Sequence, residues 1–480
     1  MLIPMNTAQK IVKNTTLLMV AQVLSFLLAF FYTIYYANYL GAAGFGMLSA
    51  ALALAGILTI FTDLGLSSLT VREVARDKEL ASKYMGNTTI IKLIFSVLTL
   101  LATFIIVQLF VHEHTSAMVI YIITVALILN VISGTFSSVF QAYEKMEYQS
   151  VATVLTSILM FAGVYIAIFY KADIMTFAMV YLVINFIILI FNVVICLWKF
   201  AVPKFELDFA FWKDLIMEAY PLAIASIFAI IAFKVDTIML AFISGDVATG
   251  LYSAAYKLLE ALMFIPSVYA TAILPVFSKF HVSSQDSLQF SYVKSFKYLT
   301  MLGIPIAVGT TLLADQIISL IYRNGFADAT IVLQILIWSI PIIFVSYVLG
   351  ASITSINRQH ETVRISFLCM LLNVVLNIIL IPTYGYIGAA VVTVITELSL
   401  FLFYFHLISK HMYRIKLREV LVKPIIASLV MALFIILVKT NLFVVIILAT
   451  VIYFGVLVIL RSFSESDLEI FKQITGKYRN

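Results

Sequence analysis

Charged residues are scarce in this chain: only 11% of its 480 residues are aspartate, glutamate, lysine or arginine. Because a soluble domain has about 25% charged residues, this composition excludes an ordinary soluble enzyme. The two cysteines, Cys196 and Cys369, lie inside apolar runs, which excludes a disulfide scaffold and indicates small buried side chains. Hydrophobic residues, by contrast, make up 63% of the chain. That balance is typical of a protein that crosses a membrane many times.

The apolar residues are grouped in runs that are long enough for membrane-spanning helices and too long for barrel strands. At about 20 residues per span, the composition allows about 12 to 15 spans. We predict fourteen, at residues 14–37, 46–66, 88–111, 117–142, 150–170, 175–198, 216–243, 248–276, 298–319, 328–355, 363–382, 386–409, 421–439 and 442–460. The predicted fold class is therefore an all-α polytopic membrane protein.

Lysine and arginine predict the orientation of the spans. We assign 25 of the 30 to loops and tails on the side of the N-terminus, Lys92 among them, and 3 to the opposite loops. Since cytoplasmic loops carry the excess of positive charge, both termini are predicted to be cytoplasmic, in the cell membrane. The net charge of +6 then indicates contact with anionic lipid and not with nucleic acid.

An internal repeat relates two hairpins at an offset of 204 residues. Residues 40–54 read LGAAGFGMLSAALAL and residues 244–258 read SGDVATGLYSAAYKL, so that Gly41 matches Gly245 and Gly46 matches Gly250. The alternative is independent use of small residues at tight helical turns. A parallel repeat predicts two six-helix bundles related by a pseudo-twofold along the membrane normal. The predicted domains are residues 1–200, residues 201–410, and residues 411–480 with the last two spans and a tail.

The same segments carry a family resemblance. Residues 40–76, LGAAGFGMLSAALALAGILTIFTDLGLSSLTVREVAR, resemble the opening signature of the polysaccharide flippases. These flippases belong to the multidrug/oligosaccharidyl-lipid/polysaccharide (MOP) exporter superfamily. Residues 235–280 are similar to that family's seventh and eighth spans, and INRQH (356–360) with PTYGYIGAAVVTVITE (382–397) is similar to its loop after span 10 and its twelfth span.

The resemblance implies alternating access and a function. It implies a flippase that moves a lipid-linked oligosaccharide, carried on a polyprenyl phosphate or pyrophosphate, from the cytoplasmic to the outer leaflet for cell-surface polysaccharide or glycan assembly. The implied partners are that substrate, membrane lipids, Na+ or H+ as a coupling ion, and other polysaccharide-assembly proteins. No cofactor, metal centre or catalytic residue is expected.

Ionisable residues inside spans mark functional sites by default, because burying a charge in the bilayer is unfavourable. Lys234 and Asp236 lie before the turn near residues 244–249, and Lys257 and Glu260 lie after it. Counted at 1.5 Å per residue, all four fall about 12 to 17 Å from the outer surface. We therefore predict that they bind the substrate, with a lysine available to its phosphate. The alternatives are ion pairs that fix helix packing, and a role in ion or proton coupling.

Other polar residues are weaker candidates. Glu397, Asp63, Asn373, Asn377 and Gln22 are assigned to coupling or to a hydrophilic cavity, although polar groups in spans often only join helices. In the family signature, Arg72 and Arg76 follow Asp63 and are assigned to an inner gate that meets the phosphate; the alternative is a solvated loop.

Other functions remain open at this point. Within the superfamily these are a drug or cation antiporter and a peptidoglycan-precursor flippase; in a different class they are a membrane glycosyltransferase or ligase. The predicted outer loops are short, and the chain has no Walker A or GxSxG motif. Two midplane lysines suit an anionic substrate better than a cationic one. The preferred interpretation is a flippase that is not an enzyme.

Overall fold

The computed structural model describes residues 7–323, 325–438 and 440–463, and it is helical throughout, with no strand in that part of the chain. Its helices are α1 (Thr7–Asp63), α2 (Leu66–Arg76), α3 (Ala81–Phe110), α4 (His114–Ala142), α5 (Met146–Phe169), α6 (Ile174–Lys199), α7 (Phe209–Ser283), α8 (Gln285–Ile321), α9 (Ala329–Leu336), α10 (Ser339–Ser355), α11 (Gln359–His411), α12 (Leu417–Leu437) and α13 (Leu442–Ile459). A 3-10 turn, Lys78–Leu80, links α2 to α3.

Eleven helical segments of the described residues are long and apolar enough to cross a membrane. This confirms the prediction of an all-α, multi-pass membrane protein. Three of these segments, in α1, α7 and α11, continue through a turn that we predicted between two spans, and each contains one glycine with non-helical backbone: Gly41, Gly245 and Gly385. The number of crossings and the cytoplasmic position of the termini stay predictions.

The two glycines that the repeat aligns have the same backbone conformation. Gly41 has φ 70° and ψ −178°, and Gly245 has φ 84° and ψ 178°. Only glycine adopts this left-handed region without strain. The matched positions of the two hairpins therefore turn the chain in the same way, as a parallel repeat requires.

The two repeated hairpins also pack against each other backbone to backbone. A Cβ atom on Gly46 would lie 1.8 Å from the carbonyl oxygen of Asp246, and a Cβ atom on Gly250 would lie 1.8 Å from the carbonyl oxygen of Ala42. Ala42 and Asp246 are themselves 204 residues apart, so the contact is reciprocal. Reciprocal contacts of this kind are those that a twofold axis generates.

The chain divides into two compact units. The first contains the described residues up to Ser253 together with Met370–Ala389; in it α1 packs against α4 and α5, and α4 against α6. The second contains Ala254–Cys369 and the described residues from Ala390 onward; in it α8 packs against α10 and α12, and α12 against α13. Both cysteines are free and buried, as predicted.

Helix α2 was not predicted, because residues 67–87 lie between two predicted spans and were assigned to a loop. It is amphipathic: Leu66, Leu69 and Val74 are fully buried, while Arg76 points to the exposed face. Gly65, with φ 82°, separates it from α1. The arginines of the family signature therefore stand on a helix that is fixed to the first unit.

Candidate functional site

Asp236 is the centre of a buried polar cluster in the first unit. Its side chain is 2% exposed. The carboxylate accepts hydrogen bonds from the hydroxyl of Tyr252 at 3.0 Å and from the amide of Asn377 at 2.6 Å. Asn377 also donates to Oδ1 of Asn373 at 2.9 Å. The structure thus joins two of the predicted residue groups, because α11 brings Asn373 and Asn377 to the carboxylate of α7.

The cluster is rich in oxygen atoms. Asn373 and Asn377 are 1% and 0% exposed, and within the described residues Oδ1 of Asn377 has no hydrogen-bond donor. A buried polar atom without a partner is unfavourable by about 1 to 3 kcal/mol. Carboxylate and amide oxygens are ligands that hard cations prefer. The arrangement therefore has the chemistry to hold a small cation beside Asp236.

Lys257 and Glu260 form an ion pair on α7 within the second unit. Nζ of Lys257 donates to Oε2 of Glu260 at 3.0 Å, and the two side chains are 26% and 21% exposed. This confirms that the i, i+3 spacing brings them together. Lys234, in the first unit, is half-buried, with its Nζ 4.9 Å from the ring centroid of Phe233. Their roles in substrate binding stay predictions.

Two further candidates lie elsewhere in the sequence. Glu397 is half-buried in the second unit, and Gln22 is exposed on α1. Their assigned roles stay predictions.

A second buried charge cluster lies in the first unit and was not predicted from the sequence. Lys92 was counted with the loop residues although the predicted span 88–111 contains it. The loop assignment is wrong, because Lys92 lies in α3 and its side chain is 0% exposed. Its ammonium lies 2.7 Å from Oδ1 of Asp63 and donates to Oγ of Ser67 at 2.8 Å and to the carbonyl oxygen of Val131 at 3.1 Å. Four helices, α1 to α4, therefore meet at one positive charge.

Asp63 also organises the joint between α1 and α2. It accepts the hydroxyl of Ser67 at 2.5 Å and the backbone N–H of Gly65 at 3.2 Å. It is the last residue of α1 and its side chain is 28% exposed; its assigned role in coupling or in a cavity stays a prediction. At the repeat offset the position of Lys92 holds Phe296 in the second repeat, which is 1% exposed. The charge is therefore a property of the first repeat alone.

Removal of one partner from this buried pair is expected to destabilise the protein. Asp63→Asn leaves the ammonium of Lys92 uncompensated, although that side chain is 0% exposed, and breaking a buried ion pair costs about 3 to 5 kcal/mol. The double variant Lys92→Met with Asp63→Asn removes both charges and is expected to recover most of the loss. The loss of stability of the single and the double variant is measured by thermal unfolding in detergent. Equal loss in the single and double variants would contradict this account.

Arg72 and Arg76 share the carboxylate of Glu73 on α2, and Arg72 also pairs with a carboxylate on α7. Nε of Arg72 lies 2.6 Å from Oε1 of Glu73, and Nη1 of Arg76 lies 3.0 Å from the same oxygen. A second nitrogen of Arg72 is paired with Glu218 of α7. The hydrogen bond to Glu73 and the nearby Glu218 raise the pKa of Arg72, so it stays charged. Glu218 is a partner that sequence analysis did not predict.

Several other polar residues in spans join helices. Asn130 donates to Asn185 at 3.0 Å, and Asn192 donates to Ser133 at 2.8 Å. These contacts link α4 to α6. This is the packing role that such residues commonly have in membranes.

Comparisons with known proteins agree with the fold and the motifs. The profile of the family described as "Polysaccharide biosynthesis protein" matches residues 11–281, and the MatE profile matches residues 221–379. Capsular polysaccharide biosynthesis protein CapF of Staphylococcus aureus is 22% identical over 413 residues, which is 82% of this chain and 98% of CapF.

Two further comparisons concern flippases. The protein named "Probable low-salt glycan biosynthesis flippase Agl15" of Haloferax volcanii is 27% identical over 148 residues, and the match spans only 31% of each protein. The solved structure of lipid II flippase MurJ in an inward closed conformation has a TM-score of 0.76 with 16% identity, over 93% of this chain and 99% of that one. At that identity the likeness is one of fold.

Proposed function

We propose that this chain, which belongs to the polysaccharide biosynthesis protein family and is a membrane flippase of the MOP superfamily, carries a lipid-linked oligosaccharide from the cytoplasmic to the outer leaflet. The sugar would be held on a polyprenyl phosphate or pyrophosphate. The protein is a multi-pass protein of the plasma membrane. Its relatives include proteins named for glycan flipping and for capsular polysaccharide biosynthesis.

The proposal is supported by the positions of two lysines along α7. Lys234 and Lys257 lie about three helical turns before and after the kink at Gly245. In a chain with so few charges, two ammonium groups at that depth suit an anionic substrate. Lys257 is held by Glu260, which positions it.

We propose the same topology that the sequence predicts. A division of α1, α7 and α11 at Gly41, Gly245 and Gly385 turns the eleven apolar segments into fourteen crossings. With an even number of crossings and the bias of positive residues, both termini would be cytoplasmic. In each transport cycle the reciprocal contact between the outer hairpins would then form and open once.

The buried oxygens around Asp236 support cation coupling as part of this function. Asp236, Asn373 and Asn377 supply a carboxylate and two amide groups, one of which has an oxygen without a donor among the described residues. We propose that Na+ binds here and drives the return of the empty carrier. The chain has no Walker A motif, so a gradient is the energy source that the sequence favours.

Lys234 provides the test of substrate binding. In proteoliposomes, Lys234→Gln is expected to reduce the flipping rate of a fluorescent polyprenyl-pyrophosphate oligosaccharide at least about tenfold, because it removes a charge-assisted contact of about 1.5 to 3 kcal/mol. Lys234→Arg keeps the charge and is expected to retain most of the rate. Lys213→Gln is the control, since Lys213 is exposed near the start of the same helix. If Lys234→Gln flips as fast as Lys213→Gln, Lys234 does not bind the substrate.

A further inference from the structure

The connector segment, residues 200–220, joins α6 to the body of α7 and lies against α2 and α3. The backbone N–H of Lys204 donates to the carbonyl oxygen of Ser82 at 2.9 Å. A Cβ atom on Gly86 would lie 1.8 Å from the carbonyl oxygen of Lys204. The connector segment is therefore held to α3 by direct contact between two backbones.

The start of α7 adds an apolar contact to this attachment. Trp212, Leu215 and Ala219 are 8%, 3% and 0% exposed and share a core with Leu66 and Leu69 of α2. Nε1 of Trp212 donates to Oδ1 of Asn87 at 2.6 Å in a buried position. Buried apolar contacts and a buried hydrogen bond thus hold the connector segment in place. They do so independently of the ion pair between Glu218 and Arg72.

Glu218 lies on the exposed side of this attachment and pairs with Arg72. The two side chains are 53% and 35% exposed. Ion pairs between exposed groups contribute little to stability, because water screens the charges and the side chains lose freedom. The pair between Glu218 and Arg72 therefore has little to add to a connector segment that is already fixed by its core.

The charges around Arg72 balance only when Glu218 is in place. Arg72 and Arg76 share Glu73, so these three residues carry one net positive charge, and Glu218 neutralises it. The guanidinium group binds phosphate oxygens through two parallel N–H donors, a geometry that matches phosphate as well as carboxylate. A phosphate group would therefore compete with Glu218 for the same donors of Arg72.

We propose that Arg72 and Arg76 form a binding site for a phosphate or pyrophosphate group and that Glu218 occupies this site as an internal competitor until the ligand arrives. The connector segment sets the position of Glu218. An arriving anion displaces the carboxylate while the core around Trp212 stays closed. The proposal rests on the proposed function for the source of the anion, which would be the headgroup of the carrier lipid.

The binding test uses inorganic pyrophosphate as the probe and the full chain in detergent. Glu218→Gln removes the competitor and is expected to lower the Kd for pyrophosphate about fivefold, as expected for the loss of one exposed ion pair. Asp208→Asn is the matched control: Asp208 lies in the same connector segment, pairs with Lys83 at 3.6 Å, and is 40% exposed. It is expected to leave the Kd unchanged. Calorimetric titration measures each Kd at low salt.

A double variant shows whether the tighter binding of pyrophosphate by Glu218→Gln depends on Arg72. If Glu218 competes for Arg72, the variant Arg72→Gln with Glu218→Gln binds no tighter than Arg72→Gln alone. A gain that persists without Arg72, or a Glu218→Gln variant that binds like Asp208→Asn, would overturn the proposal. Absence of pyrophosphate binding in every variant would overturn it as well.

The source of the anion is tested separately in proteoliposomes. With a polyprenyl-pyrophosphate carrier, Glu218→Gln is expected to lower the KM for flipping about fivefold. If the variant binds inorganic pyrophosphate more tightly but its KM for the carrier is unchanged, the site takes free phosphate and the assignment to the headgroup is wrong. If wild type binds pyrophosphate and flips no carrier, the proposed function fails while the anion site stands.

Discussion

Gly46→Ala is expected to reduce flipping at least about tenfold, although alanine is the better helix former by about 1 kcal/mol. The added Cβ would lie 1.8 Å from the carbonyl oxygen of Asp246, a distance that no backbone contact allows. The hairpins would have to separate, so the variant loses the conformation in which they touch. A carrier that works by alternating access needs that conformation once in each cycle.

Gly56→Ala is the matched control for this change. Gly56 lies in the same helix, and a Cβ atom there would meet nothing within 4 Å, so flipping is expected to stay at the wild-type rate. The separation itself is measured at Thr249, which is 0% exposed. In a background without Cys196 and Cys369, Thr249→Cys is expected to react with a membrane-impermeant maleimide much faster when Gly46→Ala is present. Equal labelling with and without Gly46→Ala would contradict the hairpin account.

Asp236→Asn is expected to abolish Na+-dependent flipping, with a loss of about a hundredfold. The amide keeps the shape of the carboxylate and one acceptor oxygen, which can take the hydrogen bond from Tyr252, while its NH2 group faces Asn377. We expect the fold to be retained. The substitution removes the one formal charge in the group formed with Asn373 and Asn377, and a hard cation binds neutral oxygens alone much more weakly.

Two measurements check the Asp236 prediction. Titration with NaCl against choline chloride is expected to give a heat of binding for wild type and none for Asp236→Asn. Asp214→Asn is the control, because Asp214 is exposed near the start of the same helix. If Asp236→Asn flips with the wild-type dependence on Na+, the cluster is a packing element and the coupling proposal is wrong.

Contacts between near neighbours in sequence were predictable. Lys257 and Glu260 are three residues apart on one helix, so helical geometry alone places them on the same face, and the structure pairs them at 3.0 Å. The conformation shared by Gly41 and Gly245 was predictable in the same way, because the repeat aligns them and glycine tolerates the turn.

Contacts between distant residues were not predictable from periodicity. Asp236 and Asn377 are 141 residues apart, and each was singled out only as a polar residue in a span. Their contact depends on how α7 and α11 pack, which hydropathy does not determine. The same reason explains why Glu218 was missed as a partner of Arg72, 146 residues away.

The buried position of Lys92 was not predictable for a different reason. A lysine near the end of an apolar run is read as a loop residue, because an unpaired ammonium inside a membrane is unfavourable. The structure buries it fully, because Asp63, Ser67 and the carbonyl of Val131 converge on it from three other helices. The excess of lysine and arginine on one side therefore predicts orientation when many residues are counted together. It does not predict the position of a single lysine whose charge is paired inside the protein.

Leaflet exposure in proteoliposomes measures directly whether the protein moves an anionic lipid-linked sugar across the bilayer. Purified wild-type protein would be reconstituted with a fluorescent polyprenyl-pyrophosphate oligosaccharide, and a membrane-impermeant quencher would report the exposed fraction with time. A parallel set of vesicles would contain a cationic dye. We expect rapid exposure of the oligosaccharide carrier and no dye exchange. Dye exchange without exposure of the carrier would contradict this expectation and identify an antiporter instead.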